Sequence, residues 1–236
     1  MEQQPLLQLE GVCYAYEGIV ALRKVTLDIR RGETVVLQGA NGCGKSTLLK
    51  LLNGLIFPEE GHYRFDGHDI TTRTMKNSAF AKHFHQRMGF VFQNADVQLF
   101  CSSVAEEIAF GPRQMGLEEA EVQRRVEDVL ALLELEPLRE RAPYHLSGGE
   151  KRKAALGCIL SMNPEVLVLD EPLAGLDRKT QRWLTEFLLA LQRAGKTMVI
   201  STHNDALAER LAQRLVIMGD DHSIEKIIEV PNNPQK

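Results

Sequence analysis

Three stretches of the chain carry residue types suited to phosphate chemistry. The first, Gly39-Ala40-Asn41-Gly42-Cys43-Gly44-Lys45-Ser46, fits G-x-x-x-x-G-K-[ST] without a gap. Its glycines let backbone N–H groups curl around phosphate oxygens, with dihedrals that a Cβ would obstruct. A helix starting at the end of the loop adds positive potential. Lys45 supplies a mobile cation for β and γ phosphates, and Ser46 a hydroxyl for magnesium. Asn41, Gly42, Cys43, Gly44, Lys45, Ser46 and Thr47 are therefore candidate nucleotide contacts. Cys43 lies beside the helix start and Lys45, a setting that favours a reactive thiol, so maleimide inactivation with protection by Mg-ATP is expected.

The second stretch, Val166-Leu167-Val168-Leu169-Asp170-Glu171, reads as an apolar strand ending in two acids. Such a strand delivers Asp170 to the edge of a sheet, where a carboxylate can hold a magnesium shell. Glu171 can then polarise a water towards the γ phosphate. Adjacent acids are commonplace, and the glycine-rich loop is what gives this pair its meaning. The third stretch is Leu146-Ser147-Gly148-Gly149-Glu150. Locally it is a helix start, with Ser147 as cap and Glu150 completing a capping box, and an ordinary N-cap fits it equally well.

The elements that must position these residues follow from periodicity. Val25, Leu27 and Ile29 alternate with Thr26 and Asp28, as in a half-buried strand. Thr34 to Gln38, Val166 to Leu169 and Thr197 to Ile200 are short apolar runs of the kind found in parallel strands covered on both faces. Leu48 to Leu52 reads as helix. From Leu117 to Leu135 apolar residues fall at helical spacing, Glu121 and Arg125 form an i,i+4 pair, and Pro137 is expected to end the helix. Residues 95–164 thus read as a helical subdomain inserted into an α/β core of residues 1–94 and 165–236. The tail carries two strand candidates, Leu215 to Met218 and Ile224 to Val230, and ends in the polar VPNNPQK.

The bulk numbers are compatible with that reading. The chain has 236 residues, 44% of them hydrophobic, a formal net charge of -4 and a pI near 6.0. No basic domain argues for nucleic acid as a partner. The four cysteines are scattered, with neither zinc-ligand nor disulfide spacing. The N-terminus lacks signal-peptide character, and no apolar run approaches the roughly 18–20 residues that cross a bilayer, so any membrane role is expected to come through a partner. His62, His68, His83 and His85 are read as solvated surface rather than as a metal site.

LSGGE lying between the glycine-rich loop and the strand ending in two acids resembles the ABC transporter ATPases over nearly the whole chain. That resemblance implies an α/β fold: a P-loop NTPase (RecA-like) core with a mostly parallel sheet, an N-terminal antiparallel β part and an inserted helical subdomain. It further implies that Tyr16 stacks on adenine, Gln93 is the Q-loop glutamine, Ala174-Gly175-Leu176-Asp177 is the D-loop and His203 is the switch histidine. Ala40, Cys43, Lys153 and Leu173 depart mildly from the pattern, and none of these changes removes a group that the chemistry needs. The implied cofactors are ATP and Mg2+, with Ser46, Gln93 and Asp170 as metal ligands. Lys45, Gln93, Glu171 and His203 are the implied catalytic set. Ser147, Gly148 and Gly149 are implied to complete the nucleotide site of a second ATPase subunit, most simply an identical copy, and Asp177 to tie the two sites together.

Asn94-Ala95-Asp96-Val97-Gln98-Leu99-Phe100, followed by Val104 to Pro112, is similar to the ATPases of energy-coupling factor importers. That likeness implies a membrane coupling subunit and a substrate-binding membrane subunit as partners, at the cytoplasmic face of the cell membrane. Cobalt or nickel is the expected substrate, with biotin or another vitamin, or another kind of ABC importer, as the alternatives. Leu99 and Phe100 are both expected at the subunit surface. A soluble ABC ATPase would have two cassettes or a coiled-coil insertion, and a small-molecule kinase would have no use for LSGGE.

Overall fold

The apolar runs form strands buried on both faces, and the side chains show it. In the computed structural model, which describes residues 4–231, Val166 and Val168 enter one hydrophobic core while Leu167 and Leu169 enter another. Val35 and Leu37 likewise face the first core and Val36 the second. This is period-2 alternation in central strands covered on both faces.

The elements in chain order are β1 (Leu7–Tyr16), β2 (Ile19–Ile29), β3 (Thr34–Gln38), α1 (Lys45–Leu52), β4 (Glu60–Phe65), β5 (His68–Asp69), α2 (Thr72–Met75), α3 (Ser78–Arg87), β6 (Met88–Val91), α4 (Val104–Met115), α5 (Glu119–Leu133), α6 (Gly148–Leu160), β7 (Val166–Asp170), α7 (Arg178–Arg193), β8 (Thr197–Ser201), α8 (Asp205–Leu211), β9 (Arg214–Met218) and β10 (Ile224–Glu229). A six-stranded sheet runs β10-β9-β3-β8-β7-β6, parallel except for the β10–β9 pair. A four-stranded antiparallel sheet runs β2-β1-β4-β5. The expected α/β class is thus the observed one.

The first core fills the space between the two sheets and takes in α1 and Phe84 of α3. The second packs α4 to α8 on the opposite face of the six-stranded sheet. On α5, Val122, Val126, Val129, Leu130 and Leu133 are buried, and Arg125 meets Glu121 at 2.8 Å. That helix ends earlier than expected: Glu134 turns left-handed at φ 56°, ahead of Pro137, which lies in a separate 3-10 turn at Glu136–Leu138. The short helices α2 and α3, between β5 and β6, carried no signal used in the sequence reading. Residues 232–236, the polar end of the tail, lie outside the described residues.

Parallel order has one consequence for chemistry. β3, β6, β7 and β8 all end at the same edge of the sheet, with Leu37 opposite Ser201, Asp170 opposite Ser201 and Val91 opposite Leu169. Loops leaving these four strands must converge there.

Candidate functional site

The loop between β3 and α1 is held by close backbone contacts that only glycine permits. At Gly39 (φ 146°) a Cβ would lie 2.4 Å from the Met218 carbonyl oxygen and 2.8 Å from Cys43 Sγ. At Gly44 (φ 109°) it would lie 2.4 Å from the Ala21 carbonyl oxygen, so the loop is pressed against β2. α1 therefore starts on a left-handed glycine with no side-chain cap and no acid in its first turn. Its first N–H groups are left for an outside acceptor. Lys45 Nζ donates to the carbonyls of Gly39 at 2.8 Å and Ala40 at 2.9 Å, which keeps its ammonium inside the loop. Cys43 is buried at 2% exposure, packed under the loop against Gly39. This burial favours a packed thiol over the accessible, reactive one expected from the sequence.

The acid pair is organised by β8. The Ser201 hydroxyl donates to Asp170 Oδ1, and the Glu171 N–H donates to both Ser201 Oγ (3.0 Å) and the Ser201 carbonyl (3.1 Å). These contacts hold Glu171 at φ 45°, a left-handed conformation that costs a non-glycine residue about 1–3 kcal/mol. Glu171 Oε1 accepts from His203 Nδ1 at 2.9 Å, which fixes the ring while the His203 side chain stays 69% exposed.

Gln93 follows β6 and completes the enclosure. Asn41, Gly42, Gly44, Lys45, Ser46, Thr47, Gln93, Asp170, Glu171 and His203 line one cavity of about 270 Å³. It brings together orphan N–H groups, a lysine, two hydroxyls, two side-chain amides, two carboxylates and an imidazole. Ser46, Gln93 and Asp170 are all oxygen donors, which suits a hard, octahedral cation such as Mg2+.

Six candidate residues stand outside that cavity: the buried Cys43 and five more. Tyr16 sits at the tip of the β1–β2 hairpin, 40% exposed and edge-on to Tyr14 at 4.9 Å. Ser147 caps α6, with Ser147 N–H donating to Glu150 Oε2 at 2.7 Å and Glu150 N–H to Ser147 Oγ at 3.3 Å. Those bonds hold the Glu150 carboxyl below its usual range. Gly148 has open space where a Cβ would stand. At Gly149 a Cβ would meet Thr180 Oγ1 at 2.9 Å. Thr180 in turn donates to Asp177 Oδ2 at 2.6 Å, and Asp177 caps α7 through the N–H groups of Lys179 and Thr180.

Sequence reasoning passed over Ser201, Thr180 and Arg152. Ser201 had a signal, since it ends an apolar run opposite the acid pair. Arg152, 5% exposed on α6, stands in a charged run that reads as solvated.

Comparison with known proteins agrees with this geometry. A family model described as ABC transporter matches residues 22–174. The nickel import ATP-binding protein LarO of Lactiplantibacillus plantarum is 44% identical over 220 residues, covering 93% of this chain and 91% of the relative. The energy-coupling factor transporter ATP-binding protein EcfA of Methanothermobacter thermautotrophicus is 40% identical over 220 residues, covering 93% and 70%. Among solved structures, CbiO1 of Clostridium perfringens, part of the transporter complex CbiONQ, superposes with a TM-score of 0.84 at 32% identity, covering 96% and 89%. The dimeric cassette MJ0796 bound to ADP and Pi superposes with a TM-score of 0.85 at 27% identity, covering 96% and 100%. This chain belongs to the ABC transporter ATPase family: it binds ATP and couples its hydrolysis to transport.

Proposed function

We propose that this protein powers an energy-coupling factor importer, with nickel or cobalt as the leading substrate, and that it works as a head-to-tail dimer at the cytoplasmic face of the membrane. The observation that carries the dimer is the division of the site. The P-loop cavity holds the acids, Gln93 and His203, while Ser147 and Gly148 stand exposed outside it. A second copy turned end to end supplies its signature start to the open side of the cavity, and this chain does the same in return. The division of the chain into residues 1–94 with 165–236 and residues 95–164 belongs to the same reading.

In the cavity, the α1 N–H groups and Lys45 hold the β and γ phosphates, and Tyr16 stacks on the base. Ser46, Asp170 and Gln93 would hold Mg2+, which would offset phosphate charge. Glu171 takes a proton from water aimed at the γ phosphate, and His203, tethered to Glu171, orients it. Little covalent chemistry falls to the protein, and positioning dominates. Glu171→Gln is expected to keep ATP binding, lose about 10²–10⁴-fold in turnover and accumulate as an ATP-bound dimer.

The importer reading is supported by the names of relatives and by a groove on the helical face. Among the residues lining this cavity of about 290 Å³ are Gln98, Phe100, Phe110, Met115 and Met162. Phe100 is 68% exposed and meets Phe110 edge-on at 5.0 Å. Leu99 differs from Phe100: it is half-buried against the second core and belongs to packing. The groove fits an apolar helix of a membrane coupling subunit, itself joined to a substrate-binding subunit. Phe100→Ser is expected to leave a folded, ATP-binding protein that no longer co-purifies with a membrane subunit. Cells lacking the protein are expected to lose high-affinity nickel or cobalt uptake. Loss of vitamin uptake with intact metal uptake would move the substrate to biotin or another vitamin, and loss of neither would remove the protein from the energy-coupling factor class.

A further inference from the structure

The signature helix is tied to the Q-loop by an internal latch. Arg152 of α6 spreads its guanidinium across two main-chain carbonyls, with Nη1 donating to Phe92 O and Nη2 to Gln93 O, each at 2.6 Å. Gln98 adds a second tie, donating to the Ala155 carbonyl at 2.9 Å and accepting from the Phe92 N–H at 3.3 Å. Lys151 closes the rim against Asp96 at 2.6 Å. Arg152 is 5% exposed, so its charge is committed to these carbonyls. A planar fork can hold two acceptors in fixed geometry, whereas a lysine ammonium holds them as a point charge.

Arg152 lies five residues after Ser147 on a continuous helix, about 7.5 Å along its axis. The same rigid rod thus carries at one end the N–H groups of Gly148 and Gly149, and further along the clamp on Gln93. We propose that Arg152 is a positioning residue that makes Gln93 move as one body with the signature start. Each subunit then sets its own glutamine according to whether its signature has engaged the nucleotide held by a second subunit. This rests on the reading above, in which Gln93 serves the chain's own cavity and Ser147 to Gly149 serve the other.

The test compares Arg152→Lys, Arg152→Met, Gln93→Ala and the double variants by ATP affinity, melting temperature and turnover, with Glu171→Gln in parallel. A misplaced group can cost about 10²-fold, so Arg152→Met is expected to lose about 100-fold in turnover and Arg152→Lys about tenfold, both with ATP affinity within about twofold. Because Arg152 acts through Gln93, adding either change to Gln93→Ala is expected to cost no more than about a further twofold. A purely structural arginine would instead lower ATP affinity and melting temperature together with turnover, and its effect would multiply with that of Gln93→Ala. Either pattern overturns the proposal, as does wild-type turnover in Arg152→Lys. If Arg152→Met does not fold, Arg152→Lys alone decides by the same criteria. Full turnover in Glu171→Gln would reject the site reading itself, whereas loss of turnover there with active Arg152 variants would remove only the latch.

Discussion

The starts of α1 and α6 are built in opposite ways. α1 begins on Gly44, left-handed, with no side-chain cap and no acid nearby. α6 begins on Ser147 inside a complete capping box, with Glu150 in its first turn. The first leaves its N–H groups unsatisfied and places a lysine among them. The second satisfies part of its own demand and keeps a negative charge beside the rest. An anion therefore has a full seat at α1 and only a partial one at α6. On the dimer proposed above, the difference implies an order of events: nucleotide settles on α1 first, and α6 engages it only when a second subunit brings the nucleotide to Ser147 and the glycines.

The largest test of that asymmetry is Lys45→Ala. Loss of a charged hydrogen-bond donor of about 1.5–3 kcal/mol predicts ATP binding weaker by roughly 10- to 100-fold, read by equilibrium titration of the isolated chain. Equal loss from a signature substitution would break the comparison. Gly149→Val should act differently. The new side chain collides with Thr180, which displaces the α6 start against the Asp177 cap. Turnover is expected to fall about 10²-fold with ATP affinity of the isolated chain unchanged.

Ser147→Ala removes the cap. A cap of this kind is worth about 1 kcal/mol, which lowers the melting temperature by about 2–4 °C in a chain of this size. Thermal unfolding without nucleotide measures it, and no change would show that the box is idle. The smallest effect is in pH. Glu150 has its pKa lowered in the folded state, chiefly by the Ser147 N–H, so its contribution is present above the unfolded carboxylate value. That contribution is lost as pH falls through the folded value. Melting temperature plotted against acidic pH should therefore be slightly flatter for Glu150→Gln than for the native chain.

Cys43 sharpens the picture of α1. Its burial predicts that maleimide labels it only when the protein is unfolded, whatever nucleotide is present. Mass spectrometry of the Cys43 peptide reads this directly. Labelling in the native state would show that the loop opens in solution.

Much of the site could be read without coordinates because its chemistry is local. The spacing from Gly39 to Ser46 places a loop and a helix start in one stretch, and Val166 to Glu171 places two acids at a strand end. Parallel strands then converge on one edge by topology, which is why Asp170, Glu171, Gln93 and His203 meet the loop. The capping box at Ser147 is equally local, its two partners lying only three positions apart.

What tertiary structure alone decided lies in contacts between distant segments. Arg152, in the run Glu150 to Lys153, looks like solvated charge, and becomes a buried clamp only because α6 crosses beneath the residues after β6. Lys153, read as a mild departure, lies over the Trp183 ring at 4.1 Å and donates to the Leu133 carbonyl, so one ammonium joins three helices. Cys43 departs from its expected exposure for the same reason, while Phe100 is exposed as expected. A thiol in a glycine loop is covered by its own backbone, while a phenylalanine is left outside beside Phe110. Sequence spacing sets what a residue can do, and burial, which sums contributions from the whole chain, sets which of those options remains.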